Sequence, residues 1–313
     1  AAPAINGSVI EECTNIVALA GIEQIQAALK TGADIIIAGR ATDTAVIAAL
    51  PIARGCHRGA AWHGAKVAEC GALATTNPNS GVILMSFDKT GFVIEPMAEF
   101  AAATPHTVSA HMLYENANPF ILHEPGGYLD VSEAHYTALD KRIVRVEGSK
   151  WYDTWPYTVK LEAARRVGYQ TVSIVMVRDG HYRAHIADWV AALEASFVRK
   201  AAARQLENVQ LEIRIIGHNA TLAELENVPG SGCEAGVMAI FTSPSQSRST
   251  EAAKLMNPDL LHLPLTPHEP MPTFAFPFSP PEMERGALYE FCLHHTLTLD
   301  DPMSAFCLNT MEI

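Results

Sequence analysis

The chain contains 313 residues, of which 49% are hydrophobic and 18% are charged, and its formal net charge at pH 7 is −12. This composition is typical of a folded globular protein and argues against a disordered chain. The acidic charge argues against nucleic acid as a partner, because phosphate neutralisation requires a surplus of Lys and Arg. No apolar run reaches the roughly 18 residues that a membrane span needs, so no membrane segment is predicted.

Cysteine usage indicates a reducing compartment. The six cysteines are scattered along the chain and none forms a C-x-x-C pair, so isolated thiols are expected rather than a disulfide framework or a zinc site. We therefore predict a cytoplasmic protein. These residues are Cys13, Cys56, Cys70, Cys233, Cys292 and Cys307.

The amino-terminal part alternates between two kinds of element. Residues 15–20 and 32–38 have the apolar composition of strands, and the second run is rich enough in Ile to be buried on both faces. Residues 22–30 show helical periodicity, and residues 46–50 begin another helix. Strand, helix, strand and helix in this order predict a parallel, right-handed βαβ unit.

Polar residues follow the Ile-rich run at the point where that strand would end. In an open α/β sheet, ligands bind outside the carboxyl ends of the strands, so Arg40, Thr42 and Asp43 are predicted to bind substrate. The alternative is that Thr42 or Asp43 only caps the next helix and that Arg40 only pairs with a nearby carboxylate.

Further polar groups come from the middle of the chain. A helix predicted over residues 60–74 carries His63, Lys66 and Cys70 on one side, with Glu69 beside them. Residues 82–87 and 92–96 predict a β-hairpin. A short helix beginning at Thr107 places His111 and Glu115 one turn apart, and a rigid, Gly-rich turn follows at residues 123–127.

The carboxyl-terminal part has an α+β pattern with antiparallel character. Residues 169–177 predict a strand and residues 181–206 a long helix, after which strands are predicted at 210–216, 234–242 and 288–299, with a helix at 247–256. We therefore predict an α/β protein with a mostly parallel central sheet flanked by helices. Its domains would be an α/β core over residues 1–206 and an α+β part over residues 207–313, packed on that core.

Short motifs spread over nearly all of the chain resemble the acyclic terpene utilisation family (AtuA-like proteins). Each piece is weak alone, but their order and spacing are specific. They are Gly39 to Ala45, Ala61 to His63, Glu69 to Ala72, Ala110 to Ala117, His123 to Gly127, Tyr157 to Glu162, Val167 to Tyr169, Phe274 to Pro280 and Glu284 to Gly286.

This resemblance implies a role in the breakdown of acyclic terpenes such as citronellol and geraniol, which runs through acyl-CoA intermediates. Some relatives are labelled as lyases. Family members usually carry a further amino-terminal α/β segment before the point where this chain begins, and many have a ferredoxin-like domain or a separate ferredoxin-like protein. A ferredoxin-like domain or subunit is therefore an expected partner. A homo-oligomer is predicted as well, independently of the resemblance. The cofactor is unknown.

The residue pattern favours proton-transfer chemistry on a carboxylate or an acyl-CoA. Nucleotide-binding, nucleophile-elbow and zinc-protease motifs are missing from the sequence. Proton transfer needs a cation to hold the acid, a general base and a donor to an enolate-like oxygen. The predicted catalytic residues are His63, His111, Glu115, Lys160 and Glu162, although Lys160 and Glu162 could simply pair on one strand face. The predicted substrate-binding residues are Arg40, Thr42, Asp43, Glu69, Asn116, His123, Glu124, Gly126 and Gly127.

The leading prediction is thus an enzyme of acyclic terpenoid or branched-chain acid catabolism, of the lyase, hydratase or isomerase type. A second reading is a non-catalytic subunit or scaffold that pairs with a ferredoxin-like partner, which an exposed apolar surface near residues 274–278 would favour. A third is a metal-dependent hydrolase, in which His111 and Glu115 bind a metal that His123 or Glu124 completes. No metal is included in the leading prediction.

Overall fold

The computed structural model describes residues 7–227 and 232–312, and the chain divides into two compact units. The first unit comprises Ala1–Ala163 and Phe291–Ile313, and the second comprises Ala164–Glu290. Two long strands, β9 (Tyr157–Val177) and β12 (Met283–Leu299), contribute residues to both units. The predicted boundary near residue 207 differs from these limits and lies inside the second unit.

The first unit contains short helices and two small sheets. Its sheets have the strand orders β2-β3-β7-β6 and β4-β5-β8, and β1 pairs with β9. The helices are α1 (Gly7–Glu12), α2 (Ile22–Leu29), α3 (Asp43–Ala53), α4 (Arg58–Ala68) and α5 (Pro105–Ala110). The strands are β1 (Cys13–Ala18), β2 (Ile83–Phe87), β3 (Gly91–Pro96), β4 (Ile121–Glu124), β5 (Gly127–Asp130), β6 (His135–Ala138), β7 (Val144–Glu147) and β8 (Lys150–Asp153).

The predicted mostly parallel central sheet is wrong. Both sheets of the first unit and the registered strands of the second are antiparallel. The bridge between Ala20 and Ala41 is parallel, but it is an isolated bridge outside the named strands. The βαβ pattern therefore places α2 between two segments that touch at one residue pair and do not form a parallel sheet.

The Ile-rich run predicted to be a buried strand is an exposed segment without regular secondary structure. Residues 31–40 are all exposed, and the exposed fraction is 68% for Ile35 and 91% for Ile37. A β-branched composition favours an extended backbone, but only a partner strand completes the backbone hydrogen bonds. The structure gives this run no such partner within the described residues.

Helix α4 is the most buried helix of the first unit. All its residues from Gly59 to Val67 are buried, which is typical of a helix that is covered on every side. Its Trp62 and Ala65 pack with α2 and α3, while its Ala60 and Val67 pack against the sheet that contains β3 and β7. Two core clusters therefore share this helix.

Close packing at Gly59 supports a stability prediction. A Cβ atom added there would lie 2.5 Å from the backbone oxygen of Ser149, so Gly59→Ala should lower the free energy of unfolding by about 1–3 kcal/mol. This loss should outweigh the gain of about 1 kcal/mol in helix propensity. The measurement is urea unfolding, with Gly180→Ala as the control because its added Cβ meets nothing within 4 Å. Unchanged stability of Gly59→Ala would contradict the close contact.

The second unit packs two helices on an antiparallel sheet. The later part of β9 pairs with β11, and β11 pairs with β10. Trp189, Leu193 and Phe197 lie in one core with Val237 and Phe241 of β11. The predicted strand at residues 210–216 is confirmed. The elements are α6 (Gly180–Ala184), α7 (Ile186–Ala203), β10 (Gln210–Ile216), β11 (Ala235–Ser243) and α8 (Gln246–His262).

The aromatic segment near residues 274–278 contributes to this second core. Phe274 and Phe276 pack against it, and the Phe274 ring contacts Tyr182 and Trp189. Phe278 is 54% exposed. Two of the three rings are thus used inside the unit. Across residues 7–227 and 232–312, every helix is too short or too polar to cross a membrane.

Candidate functional site

Five polar side chains from three elements of the first unit form a carboxyl cluster, which we define as Thr42, Thr44, Lys66, Glu69 and Glu124. Thr42 caps the first turn of α3 by accepting a hydrogen bond from the backbone N–H of Ala45, at 3.2 Å. Thr44 lies in that first turn, Lys66 and Glu69 lie at the end of α4, and Glu124 ends β4. The cluster thus forms where the start of one helix meets the end of another.

Glu124 is the most perturbed carboxyl group of the cluster. Burial raises its pKa from 4.5 to about 7, the hydrogen bonds from Thr44 and Thr42 oppose this shift, and the charge on Glu69 adds to it. The Thr44 hydroxyl donates to Oε1 of Glu124. The other oxygen, Oε2, is buried and has no hydrogen-bond partner among the residues that the structure describes. The pKa of Glu124 therefore lies near neutral pH, and one of its two carboxyl oxygens is left without a hydrogen bond from the described residues.

Lys66 and Glu69 form a buried ion pair, with only 6% and 9% of their side chains exposed. The pKa of Glu69 is raised above its usual value, chiefly by burial. The hydrogen bond and the charge of Lys66 oppose this shift, whereas the charges on Asp43 and Glu115 add to it. The Lys66 ammonium also lies 5.9 Å from the centroid of the Tyr114 ring. The ammonium is therefore the central positive charge among several carboxyl groups.

His111 borders the cluster as a buried imidazole. Burial and the positive charge of Lys66 lower its pKa, while the Lys66 backbone carbonyl raises it. Its ring stacks on Tyr114 with 5.6 Å between centroids, and its Nε2 atom is buried without a hydrogen-bond partner in the described part of the chain. His111 is therefore held neutral at pH 7 beside the ammonium.

The structure brings together several residues predicted from the sequence. Thr42, Glu69 and Glu124 belong to the carboxyl cluster, whereas Asp43, His111 and Glu115 interact with it electrostatically. Thr44 and Lys66 were not among the predicted site residues. The sequence could have indicated Lys66 as a site residue. It is a lysine three residues from both His63 and Glu69, in a helix otherwise rich in Ala and Gly.

A second group, which we call the Glu162 triad, consists of Arg40, Lys160 and Glu162. Nη2 of Arg40 lies 3.4 Å from Oε2 of Glu162, and Nζ of Lys160 lies 2.8 Å from Oε1. Burial raises the pKa of Glu162, but hydrogen bonds and charge from the two cations bring it below its usual value. Lys160 and Glu162 therefore pair, as their spacing allowed, and Arg40 joins them.

Arg40 also borders a cavity of about 520 Å³, which we call the Arg40 cavity. Its walls come from α2, from the exposed Ile-rich segment and from residues 303–311. Arg40 is the only charged residue among the described residues that line it. This cavity is therefore largely apolar, with one cationic group at its wall.

His63 lies fully buried in the core of the first unit, one turn before Lys66 on α4. Its Nδ1 atom is 2.8 Å from the Ser149 hydroxyl oxygen, and its Nε2 atom is 3.3 Å from the Tyr136 hydroxyl oxygen. The ring also contacts Phe92 edge-on. Burial lowers the pKa of His63 to about 3. Its imidazole is thus neutral and fully bonded, and it tethers α4 to its neighbours.

The remaining predicted residues lie in the hairpin of β4 and β5 and in the turn before it. Asn116 donates from its side-chain amide to the backbone oxygen of Met112, and His123 is exposed with its ring near Tyr128. Gly126 has a φ of +78°, which glycine adopts readily, and it forms the turn between β4 and β5. A Cβ atom on Gly127 would lie 2.4 Å from the Trp151 ring. The glycines thus shape the hairpin that presents Glu124.

Within residues 7–227 and 232–312, the arrangement of potential metal ligands gives no support for the hypothesis of a metal-dependent hydrolase. No group of three or more His, Cys, Asp or Glu side chains there is arranged to hold a metal ion. Glu115 is exposed on a backbone with a φ of +54°, and His111 is buried against Tyr114.

The fold and the site define a class: an antiparallel α+β protein in which the ends of two helices and one hairpin enclose a buried acid–base cluster. A family model described as acyclic terpene utilisation family protein AtuA matches residues 5–258. The chain therefore belongs to the AtuA family, and the resemblance seen in the sequence is confirmed. The family name associates it with acyclic terpene utilisation. Comparison with curated proteins and with solved structures gives no match.

Proposed function

We propose that this protein is an acid–base enzyme in the breakdown of acyclic terpenoid or branched-chain acids. It moves a proton at the carbon next to the carbonyl of a carboxylate or an acyl-CoA. Lyases, hydratases and isomerases that act on such acids share this step. The carboxyl cluster is the proposed catalytic centre.

The observation that carries this proposal is the state of Glu124. A general base is most effective when its pKa is near the working pH, and the pKa of Glu124 is raised to about 7. Its Oε2 atom is buried without a partner within residues 7–227 and 232–312, and such an unpaired group costs about 1–3 kcal/mol in a folded protein. Strongly shifted groups of this kind concentrate at functional sites.

Neighbouring groups suit the other half of the reaction. When Glu124 takes the proton, the electron pair of the C–H bond forms a double bond to the carbonyl carbon, and the π pair of the carbonyl group moves onto its oxygen, which gains negative charge. The Lys66 ammonium supplies the positive charge that stabilises such an oxygen in a water-poor site. The neutral His111 supplies a hydrogen-bonding group. Return of the proton to the same or another carbon, or loss of a leaving group, completes the reaction.

Hydrogen exchange on the substrate tests the proposal without knowledge of the final product. The protein is incubated in D₂O with 3,7-dimethyloctanoate, 3-methylbutanoate or their CoA thioesters, and deuterium uptake is followed by mass spectrometry. We expect uptake with at least one compound. In Glu124→Gln the rate should fall by at least about 10²-fold, because the general base is lost. The wild-type rate should rise with pH around pH 7 as Glu124 ionises.

Glu133→Gln is the matched control, since Glu133 is an exposed carboxylate of the same unit that pairs with Lys150. It should exchange at the wild-type rate. No uptake with any of the four compounds would count against the proposal, and so would equal rates in Glu124→Gln and Glu133→Gln.

A further inference from the structure

We propose that the Arg40 cavity binds the substrate as a free monocarboxylate with an acyclic apolar tail rather than as a CoA thioester. The tail lies in the cavity and the carboxylate binds Arg40. This inference rests on the proposed function, because it names the chemical form of the acid on which the carboxyl cluster would act.

The cavity has the size and the surface that such a tail requires. Its volume of about 520 Å³ lies within the range of about 300–1,000 Å³ typical of small-molecule sites. Most of its lining is aliphatic or aromatic, which suits a branched hydrocarbon chain and offers few partners to a polar one. The main apolar lining residues are Ile25, Ile35, Ile36, Phe306, Leu308 and Met311.

The charge at the cavity wall matches a single carboxylate. Arg40 and Lys160 share one carboxylate, that of Glu162, so the Glu162 triad carries a net charge of +1. Arg40 remains 48% exposed in its side chain, and its guanidinium can bind a carboxylate through two parallel N–H bonds. A CoA thioester has no carboxylate at that end and brings several phosphate charges. The cavity wall offers only Arg40 to neutralise them among the described residues.

Arg40 of the cavity and Thr42 of the carboxyl cluster both pair through their backbones with Ala20. The backbone oxygen of Arg40 accepts a hydrogen bond from Ala20 N at 2.9 Å, and Thr42 N donates to Ala20 O at 3.0 Å. Arg40 lines the cavity, whereas Thr42, two residues later, belongs to the cluster. The Ala20 pairing therefore holds the backbone of the cationic residue two positions before a hydroxyl residue of the cluster.

Equilibrium binding tests the inference in the Glu124→Gln protein, where catalysis does not remove the ligand. Isothermal titration compares 3,7-dimethyloctanoate, 3,7-dimethyloctan-1-ol and 3,7-dimethyloctanoyl-CoA. The acid should bind at least about tenfold more tightly than the alcohol, since a charged hydrogen-bond pair is lost with the alcohol. It should also bind more tightly than the thioester. Introducing Arg40→Gln should remove the preference for the acid over the alcohol.

Two surface variants test the position of the tail. Ile37→Asp places a charge in the cavity wall at a residue that is 91% exposed, so folding should be preserved and the affinity for the acid should fall by at least about tenfold. Val198→Asp is the control, because Val198 is a 66% exposed apolar residue of α7 outside the cavity. Equal affinities for acid and alcohol, tighter binding of the thioester, or equal affinities in the two Asp variants would overturn the inference.

These results are separable from those of the exchange experiment. Tight, Arg40-dependent binding without deuterium exchange would refute the proposed function and leave this binding site. Exchange on the CoA thioesters without Arg40-dependent binding of the acid would support the proposed function and refute the Arg40 cavity as the binding site of the free acid.

Discussion

Replacing Lys66 by methionine should lower the free energy of unfolding by about 3–5 kcal/mol at pH 8, because it leaves the buried Glu69 carboxylate without its partner. Only 6% of the Lys66 side chain and 9% of the Glu69 side chain are exposed, so water cannot replace the lost ammonium. Asp43 and Glu115 oppose the charge on Glu69 as well. Urea unfolding of the wild type and the variant measures this loss.

The pH dependence of the Lys66→Met effect identifies its cause. Without Lys66, only burial and the neighbouring carboxylates act on Glu69, so its pKa in the folded protein lies further above its unfolded value. A raised carboxyl pKa costs stability as the pH rises through it, because the unfolded chain then ionises more easily than the folded one. The loss should therefore be large at pH 8 and smaller at pH 5.

Two further variants complete this test. Lys66→Met combined with Glu69→Leu should recover most of the stability, since well-packed apolar groups can replace a buried ion pair. Lys150→Met breaks the exposed Lys150–Glu133 pair and should have little effect. Equal losses in Lys66→Met and Lys150→Met, or a loss that is independent of pH, would show that the buried pair does not have the assigned role.

The second large effect is acid destabilisation through His63. Burial lowers the pKa of His63 from 6.5 to about 3, so the folded protein resists protonation that the unfolded chain accepts. Stability should therefore be lost as the pH falls below 6.5, by about 2 kcal/mol between pH 7.5 and 5 and by up to about 5 kcal/mol over the whole range. The measurement is the free energy of unfolding in urea at a series of pH values.

His63→Gln should remove this component, because glutamine does not titrate and can still bond to Ser149. The variant loses packing against Phe92, so its absolute stability is lower, and the informative quantity is the slope against pH. His106→Gln, at an exposed histidine, serves as the control. Should His63→Gln and the wild type lose stability in parallel between pH 7.5 and 5, His63 would not be the group responsible.

Local elements could be predicted because their signals are local. The hairpin of β2 and β3, helix α2, the long helix α7 and strand β10 all follow from periodicity and turn residues. The sheet pairings could not be predicted, since β3 pairs with β7 about 50 residues later and β9 pairs with β11 about 60 residues later. The antiparallel arrangement depends on these distant contacts.

The candidate site was predictable to a similar degree. Thr42, Glu69 and Glu124 lie in motifs that the sequence singles out, and the structure brings them together. Helical spacing places His63 and Lys66 three residues apart on α4, and it does not reveal that His63 packs into the core while Lys66 reaches the carboxyl groups. That difference arises because α4 is enclosed on all sides, with one neighbour polar and another apolar.

The division of the chain also bears on the order of events during synthesis. The second unit is one uninterrupted stretch, whereas the first is assembled from two stretches separated by 127 residues, 164–290. A ribosome therefore releases every part of the second unit before it releases the last residues of the first. Residues 303–311, which close the Arg40 cavity, emerge after the whole of the second unit, so a ligand pocket of this shape cannot exist on the nascent chain until then.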